Sequence, residues 1–284
     1  MTTARLTDLL SAARTDRAAV GAFNVISIEH AEALTAGAEQ AGLPVVLQIS
    51  ENAVKYHHNA LRPIGLATLA IAEAASVPVV VHLDHATRPE LVTEAVELGF
   101  GSVMFDASVL DYDANVAATA KVVAECHAAG VDVEAEIGEV GGKDGVHAPG
   151  ARTKPEEAAS FAAATGVDAL AVAVGSSHAM TERTSKLDLD LIGDIAAAVE
   201  VPLVLHGSSG VPDDEIARGV RAGMTKINIA THLNVVFTDE VRARLDADAG
   251  LVDTRKYLGP ARDAVAVEVA RLLRLLRTSA DPLG

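Results

Sequence analysis

The stretch "VPVVVHLDHAT", from Val77 to Thr87, begins with five apolar residues and ends in polar ones. A continuous run of mostly branched apolar residues is typical of a strand buried on both faces, as the strands of parallel sheets are. His82, Asp84 and His85 then place three ionisable side chains within four positions. The stretch therefore predicts a buried strand with functional groups at its carboxyl end.

Similar apolar runs recur on both sides of this stretch, separated by amphipathic segments rich in Ala, Glu and Leu. Gly42, Gly99 and Gly130 follow several of those segments, as glycines follow the last turn of a helix. The eight predicted strands cover residues 20–25, 44–50, 77–85, 102–108, 131–138, 169–175, 202–209 and 226–231. This alternation predicts a (β/α)₈ TIM barrel, with a doubly wound open sheet as the alternative.

No low-complexity linker interrupts the repeat, so we expect one barrel domain over residues 1–284. The segment "ARDAVAVEVARLLRLLRT", residues 261–278, predicts an extra amphipathic helix at the C-terminal end. Residues 138–153 are glycine-rich and without pattern, which predicts a lid loop after the fifth strand.

The composition limits the function classes. Half of the residues are hydrophobic and 22% are charged, which predicts a folded protein with a large core. The net charge of −16 disfavours binding to nucleic acid or to an anionic membrane, but a local pocket could still bind an anionic small molecule. A single cysteine, Cys126, a charged N-terminal segment and the lack of a long apolar stretch predict a cytoplasmic protein.

Polar or metal-binding side chains end nearly every predicted strand. Barrel enzymes place their catalytic groups at this end of the strands, and each such group costs desolvation energy unless it is paired. The residues are Asn24, Ser50, Asp84, His85, Asp106, Glu134, Glu136, His178, His206 and Asn228. A purely structural barrel would have no reason to collect them.

Three of these residues, His85, His178 and His206, come from three different strand ends. Three imidazoles and one open position form the ligand set of a catalytic zinc, although any one of them alone is more often a hydrogen-bonded core residue. Alternation along a strand places Asp84 and His85 on opposite faces. The strand must therefore end or twist here if both are to reach one site.

The acidic residues have two interpretations each. Asp84 beside a metal ligand suits a general acid or base, or else it caps the next helix. His82 shares the face of Asp84 and is expected to pack behind the site. Asp106 and Glu136 either hold a second or displaced metal or form salt bridges.

The last two strands end in small residues, "LHGSSG" (205–210) and "INIAT" (227–231), and each precedes a predicted helix. Small residues let backbone N–H groups approach an anion, and the helix N-terminus attracts it. Many barrels bind phosphate with these two loops. The pattern favours a phosphate site.

In combination and order, the motifs resemble those of the class II, metal-dependent ketose-bisphosphate aldolases, which include fructose- and tagatose-bisphosphate enzymes. The resemblance extends from about Leu6 to the C-terminal helix. The segments that carry it are "AFNV", "HLDHAT", "SVMFDAS", "VEAEIGEVGG", "AVAVGSSHA", "KLDLDLI", "LVLHGSSG", "KINIAT" and "DTRKYL".

The resemblance implies a role for each matching residue. The zinc ligands correspond to His85, His178 and His206, and the group that exchanges a proton with the substrate C4 hydroxyl to Asp84. The acids that hold a second or alternative metal correspond to Asp106 and Glu136. The substrate-binding residues correspond to Asn24, Ser50, Gly207, Ser208, Ser209, Asn228, Ile229, Ala230, Thr231 and, for the distal phosphate, Arg255.

The sequence departs from the family pattern at two positions. Ala179 follows His178 where the family usually has a glycine that meets the substrate or a monovalent cation, Na⁺ or K⁺. Asp144 in "GGKDGVHAPG" stands where a loop glutamate usually exchanges a proton. Relatives form dimers or tetramers, so a homodimer or homotetramer is expected.

The implied reaction is the reversible cleavage of fructose- or tagatose-1,6-bisphosphate to dihydroxyacetone phosphate and an aldehyde such as glyceraldehyde 3-phosphate. An aldolase for another phosphosugar, a zinc-dependent sugar-phosphate epimerase or hydrolase, and a non-catalytic phosphosugar-binding protein are the alternatives. A Schiff-base aldolase needs a lysine inside the barrel, and Lys226 is expected at the wrong end of its strand.

Overall fold

The computed structural model describes residues 4–138, 152–177, 180 and 182–277. Within them, eight parallel strands pair in chain order, and β1 pairs with both β2 and β8. The strands are β1 Val20–Asn24, β2 Val45–Ser50, β3 Val79–Ala86, β4 Ser102–Phe105, β5 Asp132–Glu136, β6 Ala169–Ala171, β7 Leu203–Leu205 and β8 Met224–Ile229. The TIM barrel prediction is confirmed, and the open-sheet alternative is wrong because the sheet has no edge.

Helices follow the strands and surround the barrel. They are α1 Leu6–Thr15, α2 Ile28–Ala41, α3 Glu51–Tyr56, α4 Leu61–Ala74, α5 Pro89–Leu98, α6 Tyr112–Ala128, α7 Pro155–Thr165, α8 Leu189–Ala198, α9 Asp213–Ala222, α10 Thr231–Ala247 and α11 Arg255–Arg277, with a 3-10 turn at Ser208–Gly210. The predicted extra C-terminal helix is α11. None of the described helices is both long and apolar enough to cross a membrane.

The amino end of the barrel is closed by α1. Leu6 and Leu10 of this helix pack against small and branched residues that fill the lower barrel interior, namely Val20, Ala22, Val46, Val80, Ala169, Ala171 and Val204. Arg5 forms an ion pair with Asp132 at the start of β5, and Thr7 donates its backbone N–H and its hydroxyl to the same carboxylate at 2.9 and 3.0 Å. The predicted functional groups therefore lie at the opposite, carboxyl end.

The helix α11 packs closely on α2 because α2 has a glycine at the contact. A Cβ atom at Gly37 would lie 2.5 Å from the carbonyl oxygen of Ala266 and 2.7 Å from the side chain of Val269. Buried apolar residues of α11, including Val265 and Leu273, join the core between the barrel and its helices. The C-terminal helix is therefore part of the barrel's main core.

Charged groups connect α11 to the elements that follow β7 and β8. Glu268 accepts hydrogen bonds from Arg271 at 2.7 and 2.8 Å and lies 2.6 Å from Nε2 of His232 on α10. Arg271 and Arg183 both pair with Asp213 at the start of α9. Burial alone would raise the pKa of Glu268, but its bonds with Arg271 and His232 lower that pKa to about 2.

We expect Glu268→Gln to destabilise the protein most at neutral pH. The lowered pKa means that the Glu268 carboxylate stabilises the fold above its ordinary pKa of 4.5, and that this contribution is lost as the pH falls towards 2. Urea unfolding between pH 7 and pH 3 should therefore show a gap between wild type and variant that narrows below about pH 4.5. Glu73→Gln, on the exposed face of α4, is the control and should show little difference. A gap that stays constant with pH would contradict this role of Glu268.

Candidate active site

A cavity of about 180 Å³ opens at the carboxyl end of the strands. Polar side chains and small residues from five strand ends line it: Asn24, Gln48, Ser50, Asn52, Asp84, His85, Gly207, Ser209, Asn228, Ala230 and Thr231. All except Gln48 and Asn52 were predicted from the sequence. Five of the ten predicted strand-end residues, Asn24, Ser50, Asp84, His85 and Asn228, therefore line one cavity.

His85 reaches the same cavity as Asp84 because β3 contains a bulge. Leu83 pairs with Val103 and Ala86 pairs with Phe105, so β3 uses one more residue than β4 over this interval. His85 has a φ of +50°, the left-handed conformation that non-glycine residues adopt rarely. This backbone turn resolves the conflict between strand alternation and a shared site.

The bulge places the His85 ring between an acid and a second histidine. Its Nδ1 atom lies 2.8 Å from Oδ2 of Asp106, and its ring centroid lies 4.7 Å from that of His206. Asp106 is fixed in turn by the backbone N–H and hydroxyl of Ser108, at 3.2 and 2.6 Å. In this structure Asp106 orients the ring of His85.

His85, Glu136 and His206 offer ligand atoms that all lie within 4.8 Å of one another. Imidazole and carboxylate groups suit a divalent ion such as zinc. Glu136 and His206 are fully buried, so water cannot stabilise the carboxylate in place of a cation. These residues therefore fit a metal site. The third predicted histidine ligand, His178, lies outside the described residues.

His206 lies between two carboxylates. Its Nδ1 atom is 2.8 Å from Glu136 and its Nε2 atom is 2.9 Å from Glu134. Burial alone would lower the pKa of His206, but the two carboxylates raise it to about 9. Glu136, His85 and His206 form the metal-type cluster, the group whose ligand atoms lie within 4.8 Å of one another. Nδ1 of His206 therefore faces the candidate metal position, and Nε2 of His206 faces Glu134. A carboxylate behind a ligating histidine fixes the orientation of the ring.

Asp84 has one oxygen that is held and one that is available. Oδ2 accepts a hydrogen bond from Asn24 at 3.1 Å, and Asn24 accepts one from Gln48 at 2.7 Å. Oδ1 is buried and makes no hydrogen bond among the described residues. Burial raises the pKa of Asp84, but the nearby charges of His85 and Lys226 outweigh it and hold that pKa below its ordinary value. Asp84 is therefore an ionised proton acceptor at neutral pH.

The loop after β7 comes unusually close to the loop after β6. Gly207 has a φ of +67°, and a Cβ atom there would lie 2.6 Å from the backbone of Ser177. Only glycine fits this position without strain. The next residue, Ser208, is buried and donates its hydroxyl to the carbonyl of Leu205 at 3.0 Å.

Ser209 joins the loops after β7 and β8. Its hydroxyl accepts the backbone N–H groups of Ala230 and His232 at 3.3 Å, at the N-terminus of α10. Ala230 and Thr231, the cap and the first residue of α10, line the cavity, so the positive end of this helix faces it. Ile229 packs its side chain into the outer core, so its backbone is the part that could meet a ligand.

Comparison with known proteins agrees with this site. The family model described as "Fructose-bisphosphate aldolase class-II" matches residues 4–281. The chain belongs to this family. Its relatives include fructose-bisphosphate aldolases of Thermus caldophilus, 39% identical over 94% of this chain and 96% of that one, and of Geobacillus stearothermophilus, 37% identical over 96% of each.

Solved structures of aldolases share the architecture. The YdjI aldolase from Escherichia coli K12 superposes with a TM-score of 0.85 at 30% identity and covers 97% of both chains. A putative fructose-1,6-bisphosphate aldolase from Coccidioides immitis gives 0.84 at 29% identity over 98% of both. The expected aldolase, a carbon–carbon lyase of carbohydrate metabolism, is thereby confirmed. Class II aldolases are generally zinc-dependent, in agreement with the metal-type cluster.

Several predicted roles stay predictions. His178, Ala179 and Asp144 lie outside the described residues. Arg255 begins α11 and pairs with Asp253; its side chain is 88% exposed and is not among those that line the cavity. His82 packs as expected, with Nδ1 2.7 Å from the hydroxyl of Ser102.

Sequence reasoning missed two lining residues and misplaced a third polar group. Gln48 is a polar residue within an apolar strand and shares the face of Ser50, which was a usable signal; Asn52 carried none. The prediction that Lys226 lies at the end of its strand far from the site is not confirmed. Since β8 begins at Met224, Lys226 lies within the barrel, with Nζ 2.7 Å from Glu134.

We expect Asp106→Ala to weaken zinc binding about 10- to 100-fold, because the His85 ring would lose the carboxylate that orients it. The dissociation constant can be measured by competition with a chromogenic chelator. Ser108→Ala is the matched control, since it removes a single hydrogen bond to Asp106 and leaves the carboxylate against His85. Equal zinc affinities of wild type and Asp106→Ala would contradict the orienting role.

Proposed function

We propose that this aldolase reversibly cleaves fructose-1,6-bisphosphate to dihydroxyacetone phosphate and glyceraldehyde 3-phosphate. One observation carries the proposal: the available Oδ1 of an ionised Asp84 lies beside the candidate metal ligand His85, in a cavity walled by the N-terminus of α10. The names of the relatives support the choice of fructose-1,6-bisphosphate as the substrate, because several relatives are fructose-bisphosphate aldolases.

Asp84 is the base of the cleavage direction. It accepts the proton of the C4 hydroxyl, the O–H electron pair forms the aldehyde C=O, and the C3–C4 bond breaks with its electrons left on C3. Asn24 and Gln48 hold the carboxylate in place for this transfer. Asp144 of the loop after β5 returns a proton to C3, so that dihydroxyacetone phosphate is released.

His85, His178 and His206 hold the catalytic zinc, and Glu136 with Asp106 provides a second or displaced position. When bound, zinc supplies a Lewis acid that polarises the ketone of the substrate and stabilises the negative charge left after cleavage. We include in this proposal that a monovalent cation, Na⁺ or K⁺, binds at the position of Ala179.

The phosphate on the ketone side lies against Gly207, Ser208 and Ser209 and the α10 N-terminus. Backbone N–H groups and the helix dipole bind it there, although the whole protein is acidic. The remaining members of this phosphate-binding set are Asn228, Ile229, Ala230 and Thr231. Ser50 contacts the sugar, and Arg255 binds the distal phosphate.

We also propose a cytoplasmic homodimer or homotetramer. The single cysteine, Cys126, is buried and suits a reducing compartment. The assembly follows from the resemblance, and exposed apolar side chains such as Val252 and Val267 are available for contacts between copies.

The function is tested by triose release from fructose-1,6-bisphosphate, with tagatose-1,6-bisphosphate as the C4 epimer. We expect release from the fructose substrate, loss of activity after chelation and recovery on addition of zinc. Faster release from tagatose-1,6-bisphosphate would reverse the substrate assignment. Bound zinc with no release from either sugar would direct the search to another phosphosugar, and activity that survives chelation would overturn the metal-dependent mechanism.

We expect Asp84→Asn to lower kcat about 10²- to 10⁴-fold, because the amide cannot accept the C4 hydroxyl proton. The amide keeps the size and the hydrogen bond partner, so zinc content should remain that of the wild type. Asp113→Asn, on the exposed face of α6, is the control with the same chemical change. A variant that keeps more than about a tenth of the wild-type kcat would exclude Asp84 as the base.

A further inference from the structure

Lys226 is a fully buried lysine that the mechanism above does not use. It projects from β8 into the middle of the barrel, between the apolar lower interior and the cavity. Burying an ammonium group costs several kcal/mol unless a partner compensates for the lost water. The position of this cation therefore needs an explanation.

One carboxylate connects Lys226 to a candidate metal ligand. Oε2 of Glu134 lies 2.7 Å from Nζ of Lys226, and Oε1 of the same residue lies 2.9 Å from Nε2 of His206. All three side chains are 0% exposed. Glu134 is thus held from one side by a cation while its other oxygen contacts the histidine.

We propose that Lys226 is a positioning residue that fixes Glu134 and, through it, the orientation of the zinc ligand His206. With Oε2 engaged by the ammonium group, Oε1 remains directed at Nε2 of His206, and Nδ1 remains directed at the metal side. This inference rests on the proposed function, because it takes His206 as a zinc ligand.

The same ammonium group also approaches the residues that hold the base. Its Nζ atom lies 3.5 Å from Oε1 of Gln48, the long end of the hydrogen-bond range. Gln48 donates to Asn24, and Asn24 donates to Asp84. Lys226 therefore lies at the junction of two connections, a short one to the metal ligand and a longer one to the proton acceptor.

A purely structural ion pair is the alternative, and β5 contains one for comparison. Asp132 lies two residues before Glu134, is fully buried and pairs with Arg5 at the closed end of the barrel. Asp132→Asn is therefore the matched control. It weakens an ion pair made by a buried carboxylate of the same strand, whose partner Arg5 is half-exposed, and it does not contact the site.

The test measures zinc affinity by chelator competition on wild type, Lys226→Met, Glu134→Gln, the double variant and Asp132→Asn. We expect zinc to bind about 10-fold more weakly to Lys226→Met and about 10- to 100-fold more weakly to Glu134→Gln. The double variant should match Glu134→Gln, because Lys226 acts through Glu134. Asp132→Asn should lower the unfolding temperature and leave zinc affinity unchanged.

Kinetics under saturating zinc give a second readout. Lys226→Met should lower kcat while KM for fructose-1,6-bisphosphate stays within about twofold, because the lysine acts on the ligand and the base rather than on substrate binding. A general loss of structure would instead lower the fraction of active protein, which active-site titration detects.

Wild-type zinc affinity in Lys226→Met, together with a lowered unfolding temperature, would show a structural ion pair and overturn this inference alone. A wild type that binds no zinc would overturn the metal assignment and this inference together. If Lys226→Met does not fold, Glu134→Gln and the double variant decide, since wild-type zinc affinity in either one overturns the proposal.

Discussion

One extra residue in β3 makes the site possible. Between Leu83 and Ala86 the strand is one residue longer than its partner β4, and the backbone at His85 takes a left-handed conformation. Because of this bulge, the candidate metal ligand His85 and the candidate base Asp84, which are adjacent in the chain, face the same cavity. Without it, His85 would point into the outer core, away from Asp84 and His206.

The buried charged side chains of the barrel interior form pairs, and the interior next to α1 is mostly apolar. Alanine and valine side chains fill the barrel next to α1, where Asp132 pairs with Arg5. The buried charged groups around His206, namely Glu134, Glu136 and Lys226, lie further towards the carboxyl end. The two candidate ligand histidines among the described residues each contact a carboxylate, with Asp106 beside His85 and Glu134 beside His206. Such pairing keeps ionised groups in a dry interior and leaves Oδ1 of Asp84 available for chemistry.

The sequence predicted much of the fold and most of the residues that line the cavity. Eight apolar runs with polar ends predicted the barrel and most of the cavity residues, because strand burial and strand-end chemistry are local patterns. The sequence-based strands extended too far at β4, β6 and β7. Asp106 and His206 directly follow the apolar runs of β4 and β7, so the sequence gives no sign that the strand has already ended. In the structure both residues lie one position beyond the last residue of their strand.

By itself, the sequence determined the architecture, the family and the residues proposed for the chemistry, since these depend on periodicity and on motifs within short segments. The tertiary structure alone decided which acid faces which histidine, that Lys226 reaches Glu134 and Gln48, and that His85 turns inward. Those contacts join strands up to 178 residues apart, as between Lys226 and Gln48. Barrel closure and strand register set such distances, and no local pattern encodes them.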